Sequence, residues 1–440
     1  MITEKTLCSA FKKTLSRMAK VTGFMKRKRK FSAFEFVLLM VVGQMSMVHP
    51  SLSGMVEAVR AKISRVALHL RFTAQAAEFL LACLKTVLEY SVRPARITPS
   101  ALDAFKRVHI FDSSSWDINP GLKQVLPGSG GGASGANCKL QAGYEYKSGS
   151  LGFFAVTEGI KPDQAYSNRL VDFVEKDDLM LTDLGYFKLS VFQEVTAKGV
   201  YFLSKLLIGT TLRNAGTSEK IDLGATLRSF VGNILEIHVI MGNDKHHVPC
   251  RLIGLRVTKQ VANARRRKLR KEAEKKGRTP SKNHLALCDW TLFVTNASSE
   301  ILPVNLVLSL YRLRWQIELI FKQLKSVLRV HSSNTAKEYR LKCEIYGKLI
   351  MAVLIHCIHS SLNANMWTTR KMEVSFDKLY KRIQERAFSL LQNMLLTVAT
   401  AVKHFLREIN RLAIACIKTR QPSRKTTLEL LEDTHALSLP

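Results

Sequence analysis

Apolar residues recur at helical spacing through the first hundred positions, in AFEFVLLMVVGQM, in SLSGMVEAVRAKI after a Pro-Ser start, and in TAQAAEFLLACLKTVLEY. This pattern predicts short amphipathic helices. Near residue 100 the period changes. RVHIFDSSSWDI predicts a short buried strand over Val108–Phe111, ending at Asp112 and a serine turn. LQAGYEYKSGSLGFFAVTEG predicts a hairpin around Lys147-Ser148-Gly149-Ser150, and DDLMLTDLGYF a short apolar strand ending at Asp183, with Gly185 opening the turn. KLSVFQEVTAKG has helical spacing closed by Gly199, and VYFLSKL reads as the next strand. From about Leu207 to Val294 the pattern is mainly β, in NILEIHVIMG, VPCRLIGLRV and DWTLFVTNA. After Tyr311 helical spacing returns, through EIYGKLIMAVLIHCIHSSL and LQNMLLTVATAVKHFLREINRLAIACI, to a polar tail after Gln421. No repeat of fixed period is visible.

An α/β chain of five segments follows. They are a basic helical DNA-binding region over 1–98, a first core part over 99–206, a mainly β insertion with a basic segment over 207–300, a second core part over 301–365, and a helical region over 366–440 that could serve dimerisation.

Charge narrows the function. The 67 Lys and Arg against 35 Asp and Glu leave a formal +32 over 440 residues, which calls for a polyanionic partner, nucleic acid first. Between Glu4 and Glu35 stand ten cations and no acid, including Lys26–Lys30. From Lys259 to Lys282 eleven cations, Arg265, Arg266 and Arg267 among them, face only Glu272 and Glu274; such a run is a solvated helix or a phosphate contact. A membrane surface is a weaker partner, because no lipidation motif is present. The uncharged run Phe36–Val56 holds Gln44, His49, Pro50 and three serines, a packed helix and turn in character. The N-terminus lacks a signal-peptide pattern. Eight cysteines without a C-x-x-C pair suit buried thiols in a reducing, cytoplasmic setting. The glycine-rich stretch Pro127–Lys139 has no Lys-Ser or Lys-Thr at the spacing of a phosphate-binding loop.

The stretch YRLRWQIELIFKQLK (Tyr311–Lys325) concentrates the chemistry. Wound as one helix, it puts Tyr311, Arg314, Glu318 and Lys325 within a stripe roughly 60° wide, with Lys322 and Trp315 on its edge. Leu313, Ile317, Ile320 and Leu324 gather at about 180° to 240°, a face for packing. An amphipathic surface helix with ordinary ion pairs is one explanation. The other is a carboxylate serving a metal ion while its cationic neighbours hold a phosphodiester. A lone carboxylate makes no such site, and two strand-end acids, Asp112 and Asp183, offer partners. Either alone could be a turn former; in open α/β sheets, strand carboxyl ends are where ligand groups gather.

The spacing Tyr311, Arg314, Glu318, Lys325, together with IFDSSS, LTDLGYF, FVTNA and RWQIELIFKQLK, resembles the Y-R-E-K pattern of insertion-sequence transposases of the IS-four family. The resemblance covers about residues 105–330 and, loosely, the N-terminal helical region. It implies a ribonuclease-H-like catalytic core interrupted by a mainly β insertion, which agrees with the 134 residues between Asp183 and Glu318. It further implies that Asp112, Asp183 and Glu318 form an acidic triad for two Mg²⁺ or Mn²⁺ ions, with Asp112 shared between them. Tyr311, Arg314 and Lys325 would contact terminal transposon DNA. The expected reaction is in-line hydrolysis at transposon ends followed by strand transfer into target DNA, by a homodimer on paired ends in the nucleoid. Rival readings are a basic DNA-binding repressor without catalysis, a nuclease or resolvase that cuts without joining, and a membrane-surface protein. Trp290 is a candidate for stacking on a flipped base, with a buried core position the more ordinary reading for a tryptophan.

Overall fold

In the computed structural model the described residues are 4–27, 31–45, 51–58, 63–89, 100–129, 135–243, 245–370, 372–396 and 411–418. The end of the Lys26–Lys30 run, the middle of the glycine-rich stretch and the polar tail after Gln421 lie outside them, as does most of the segment before Arg411.

The N-terminal region is helical as expected: α1 (Glu4–Val21), α2 (Ala33–Leu38) continuing into a wider π-type turn (Leu39–Gly43), α3 (Leu52–Ala58), α4 (Arg65–His69) and α5 (Ala74–Glu89). Local chemistry sets these starts. Ser32 and Glu35 form a reciprocal capping box on α2, and the Ser64 hydroxyl accepts from the Ala67 amide at α4.

The central part alternates: β1 (Val108–Asp117), β2 (Asn137–Glu145), β3 (Ser150–Glu158), β4 (Leu179–Thr182), α6 (Leu189–Ala197), β5 (Tyr201–Lys205), β6 (Leu212–Asn214), α7 (Leu223–Ser229), β7 (Ile234–Gly242), β8 (His247–Arg256), α8 (Lys259–Glu274), α9 (Lys282–Leu287) and β9 (Trp290–Thr295). Then follow α10 (Val304–Arg312), α11 (Trp315–Ser326), α12 (Glu338–Arg370) and α13 (Phe376–Leu396). Among the described residues nine strands form one sheet in the order β3-β2-β1-β4-β5-β9-β8-β7-β6. β1, β4 and β5 run parallel; the other pairings are antiparallel. The β-rich segment after Leu207 therefore extends the same sheet, because β9 pairs with β5 at Leu203↔Thr295.

Alternation of side chains across the pleat divides the core in two. Leu179 and Leu181 of β4, Leu203 of β5 and Phe293 of β9 join the cluster under α5 and α10–α12. Met180, Phe202, Leu292 and Val294 join a second cluster under α6. Strand β4 is buried throughout, as a central strand covered on both faces must be. Of the described helices, α12 alone is long and apolar enough to cross a membrane, yet 61% of its most apolar window is buried inside the protein. It runs along α5 and crosses the N-terminal helices at Gly347, where any Cβ would collide with the Met40 carbonyl.

Candidate active site

Strand register brings the two aspartates together. β1 and β4 pair in parallel from Val108↔Leu179 to Phe111↔Thr182, so Asp112 and Asp183 are the next residues on adjacent strands. One expectation needs correcting. β1 does not end at Asp112 but continues to Asp117, because β2 keeps pairing with it through Asp112↔Ala142 and on to Asp117↔Asn137. Cross-strand pairing overrides the turn preference of the serines. Only β4 stops, and Asp183 opens the 3₁₀ turn Leu184–Tyr186 without capping it through its side chain. The turn-former explanation therefore leaves the Asp183 carboxylate without a local task.

The third acid arrives on α11, and here a second correction applies. Tyr311–Lys325 is two helices, α10 and α11, joined at Leu313–Arg314. Around this joint the bonds run from i to i+3, as in Arg314 N–H to the Tyr311 carbonyl and Gln316 N–H to the Leu313 carbonyl. The tighter winding turns Tyr311 off the shared stripe. Its ring is buried against Phe293, and its hydroxyl donates to the Thr182 carbonyl at 3.4 Å. Arg314, Glu318 and Lys325 keep the helical relation read from the sequence.

Arg314 is the centre of the arrangement. Its Nη1 donates to Asp112 at 2.9 Å, its Nη2 to Glu318 at 2.6 Å, and its Nε lies 3.7 Å from Asp183. Three carboxylates thus converge on one guanidinium that is only 9% exposed. One positive charge cannot neutralise three negative ones, and the Asp112 carboxyl registers the deficit. Burial pushes it up to about 6, with Asp183 and Glu318 adding to the rise, while the Ser113 amide and Arg314 oppose it. The Nε of Arg314 is buried with no hydrogen-bond partner, a cost that a fully satisfied structural cluster would not carry.

With the guanidinium between them, no three acids, histidines or cysteines among the described residues stand close enough to share a cation as placed. The donor set nevertheless fits a hard divalent ion: three carboxylates with a formal charge deficit. Fit requires the guanidinium to give way.

The expected cations fall into two groups. Lys325 donates to the Ser115 carbonyl at 2.9 Å and lies over the Trp116 ring, beside the site, and Lys322 is exposed one turn earlier. Arg265 and Arg266 turn inward instead: Arg265 donates to the Trp290 carbonyl and the Thr291 hydroxyl, and Arg266 pairs with Asp289 at 2.5 Å. Arg267 is exposed. Trp290 is 3% exposed and belongs to the core, which removes it as a surface stacking residue.

The structure adds Lys205 and Leu319 to the neighbours that spacing had marked, Trp315 among them. Lys205, the last residue of β5, lies 5.4 Å from the Tyr311 ring centre, and its pKa is lowered by burial while Asp183 pulls the other way. Trp315 and Leu319 flank Glu318 on α11 and are 60% and 49% exposed.

A family model for the transposase DDE domain matches residues 103–354, a span that includes β1–β9, α10, α11 and all three acids. Over 439 residues the chain is 29% identical to the transposase for insertion sequence element IS231B of Bacillus thuringiensis subsp. berliner, covering 95% of this chain and 92% of that relative. It is 27% identical over 443 residues to the transposase for insertion sequence element IS1151 of Clostridium perfringens, covering 95% and 93%.

Proposed function

The chain belongs to the transposase DDE domain family, and from that premise we propose that it cuts the ends of an insertion sequence and joins them to target DNA. The observation that carries this reading is the convergence of Asp112, Asp183 and Glu318 on Arg314. These acids would hold Mg²⁺ or Mn²⁺, two ions per site. When bound, such ions supply Lewis-acid activation of an attacking oxygen and charge stabilisation at the leaving oxygen.

The chain's own residues do the rest. Arg314 would hold a phosphate at the cut once its carboxylates are engaged elsewhere. Lys325 and Lys322 lie along the same helix for the flanking phosphates, and exposed Arg267 extends the contact along α8. Buried Tyr311 supports the end of β4 through Thr182 and so fixes Asp183 rather than reaching DNA directly. The strand order β3-β2-β1-β4-β5, with β1, β4 and β5 parallel, supports a ribonuclease-H-like core. The β9-β8-β7-β6 half would then be the insertion, the helical region before residue 99 a DNA-binding module, and the region after 365 a dimerisation element. The partners are double-stranded terminal repeats and target DNA, handled by a homodimer in the cytoplasm.

A second reading has one observation in its favour. Arg314 engages all three acids unaided, as it would in a repressor that binds DNA without cutting it. Purified protein incubated with oligonucleotides carrying the element's ends separates the two. Mg²⁺-dependent cleavage and strand transfer, lost in Asp112→Ala with end binding retained, supports the enzyme; retarded DNA without cleavage supports the repressor.

A further inference from the structure

Between β3 and β4 lies Asp163, an acid that no motif singles out. Its Oδ1 accepts from the Ser113 hydroxyl at 2.7 Å and the Gln141 amide at 3.2 Å, with Lys139 Nζ also at 3.2 Å. Ser113 directly follows Asp112, and its backbone amide donates to Asp112 Oδ1 at 2.8 Å. One residue thus holds both carboxylates, Asp112 by its main chain and Asp163 by its side chain.

The other side of Asp163 is fastened to the turn that follows Asp183. Gln164 donates to the Phe187 carbonyl at 2.7 Å, and the buried Ser167 hydroxyl donates to the Tyr186 carbonyl at 3.0 Å. Asp163 Oδ2 lies over Gly185, where an added Cβ would come within 3.1 Å of it. The circuit closes through Gln141. The Gln141 amide nitrogen donates to Asp163 Oδ1, and its amide oxygen accepts from the Tyr186 hydroxyl. Gln141 and Tyr186 are both 2% exposed, where such a circuit is rigid because each member is satisfied.

We propose that Asp163 is a positioning residue that sets the separation of Asp112 and Asp183 by tying strand β1 to the turn after β4. This rests on the reading of those two acids as cation ligands. Asp163 Oδ1 is committed to three donors, Lys139 among them, so its part here is positioning. Carboxylates that hold a cation depend on the hydrogen bonds that orient them, and losing one such support costs roughly 10- to 100-fold in metal affinity.

Mn²⁺ binding by the full chain without DNA, followed by electron paramagnetic resonance of free Mn²⁺, tests the inference independently of activity. Asp163→Ala is expected to weaken Mn²⁺ binding by roughly 10- to 100-fold while the chain stays folded at the assay temperature. Asp163→Asn, which keeps an acceptor oxygen for Ser113, restores most of the affinity. Native affinity in a folded Asp163→Ala overturns the inference. If that variant does not fold, Ser113→Ala decides, since it removes the same bond from the other side: a matching loss supports the inference and native affinity overturns it. Asp112→Ala is titrated alongside. Native Mn²⁺ binding by that variant sinks the triad reading, and this inference with it; a loss there with none in the other two sinks this inference alone.

Discussion

The two ends of one strand pair carry the same residue type in opposite conditions. Before β4, Asp178 is fully buried, receives two bonds from Arg107 at 2.7 and 2.9 Å and one from the Glu175 amide, and has His109 Nε2 at 3.2 Å. Although burial alone would raise it, His109, Arg107 and that amide hold its carboxyl down to about 2. Beyond the other end of the pair, Asp112 shares one guanidinium with two further acids, and burial pushes it up to about 6. The first carboxylate is oversupplied with donors and stabilises the fold. The second is undersupplied. Burial is common to both, so the difference lies in how many donors each carboxylate commands.

The largest effect should come from emptying the saturated end. Asp178→Ala leaves Arg107 and the Glu175 amide without their buried acceptor and is expected to cost ~3–5 kcal/mol in denaturant unfolding. Because Asp178 is depressed, its contribution is present above its ordinary value of 3.8 and is lost as pH falls through about 2. A loss below about 1 kcal/mol, the scale of an exposed pair, would erase the contrast. Asp112→Asn should move stability the other way. A raised carboxyl contributes stability that is full below 3.8 and lost as pH rises through about 6. At pH 7.5 the metal-free variant is therefore expected to gain up to ~3 kcal/mol over the native chain, and its stability should no longer fall between those values. Destabilisation by Asp112→Asn in EDTA would mean that Arg314 already satisfies the site. Smallest is Lys325→Ala. Arg107 is fixed by buried acid, whereas Lys325 donates to a carbonyl and can turn to phosphate. Its loss should weaken end binding and lower the salt slope by about 1, measured by fluorescence anisotropy across a salt series.

Local pattern made much of this legible. Strands β7, β8 and β9 and helix α6 stand where alternation and helical spacing put them, and both aspartates were marked by short apolar runs that break off in a polar turn. The helix-borne acid was marked by its cationic stripe. What stayed hidden depends on contacts far apart in sequence. Nothing near Ser113 reveals that β2 will carry β1 on to Asp117, and nothing near Arg265 or Arg266 reveals that β9 and Asp289 will claim their guanidiniums. The joint at Leu313–Arg314 escaped because a helix and a tightened turn share nearly the same residue preferences. Asp163 and Lys205 escaped because a single charged residue in a loop or at a strand end carries no period at all.

Asp112, Asp183 and Glu318 would exchange a shared guanidinium for divalent cations. Anomalous diffraction from crystals equilibrated with Mn²⁺ measures this directly. The expected result is Mn²⁺ density ligated by all three carboxylates, with Arg314 withdrawn from Asp112. Carboxylates still bonded to Arg314 at saturating Mn²⁺, with no density among them, would contradict it.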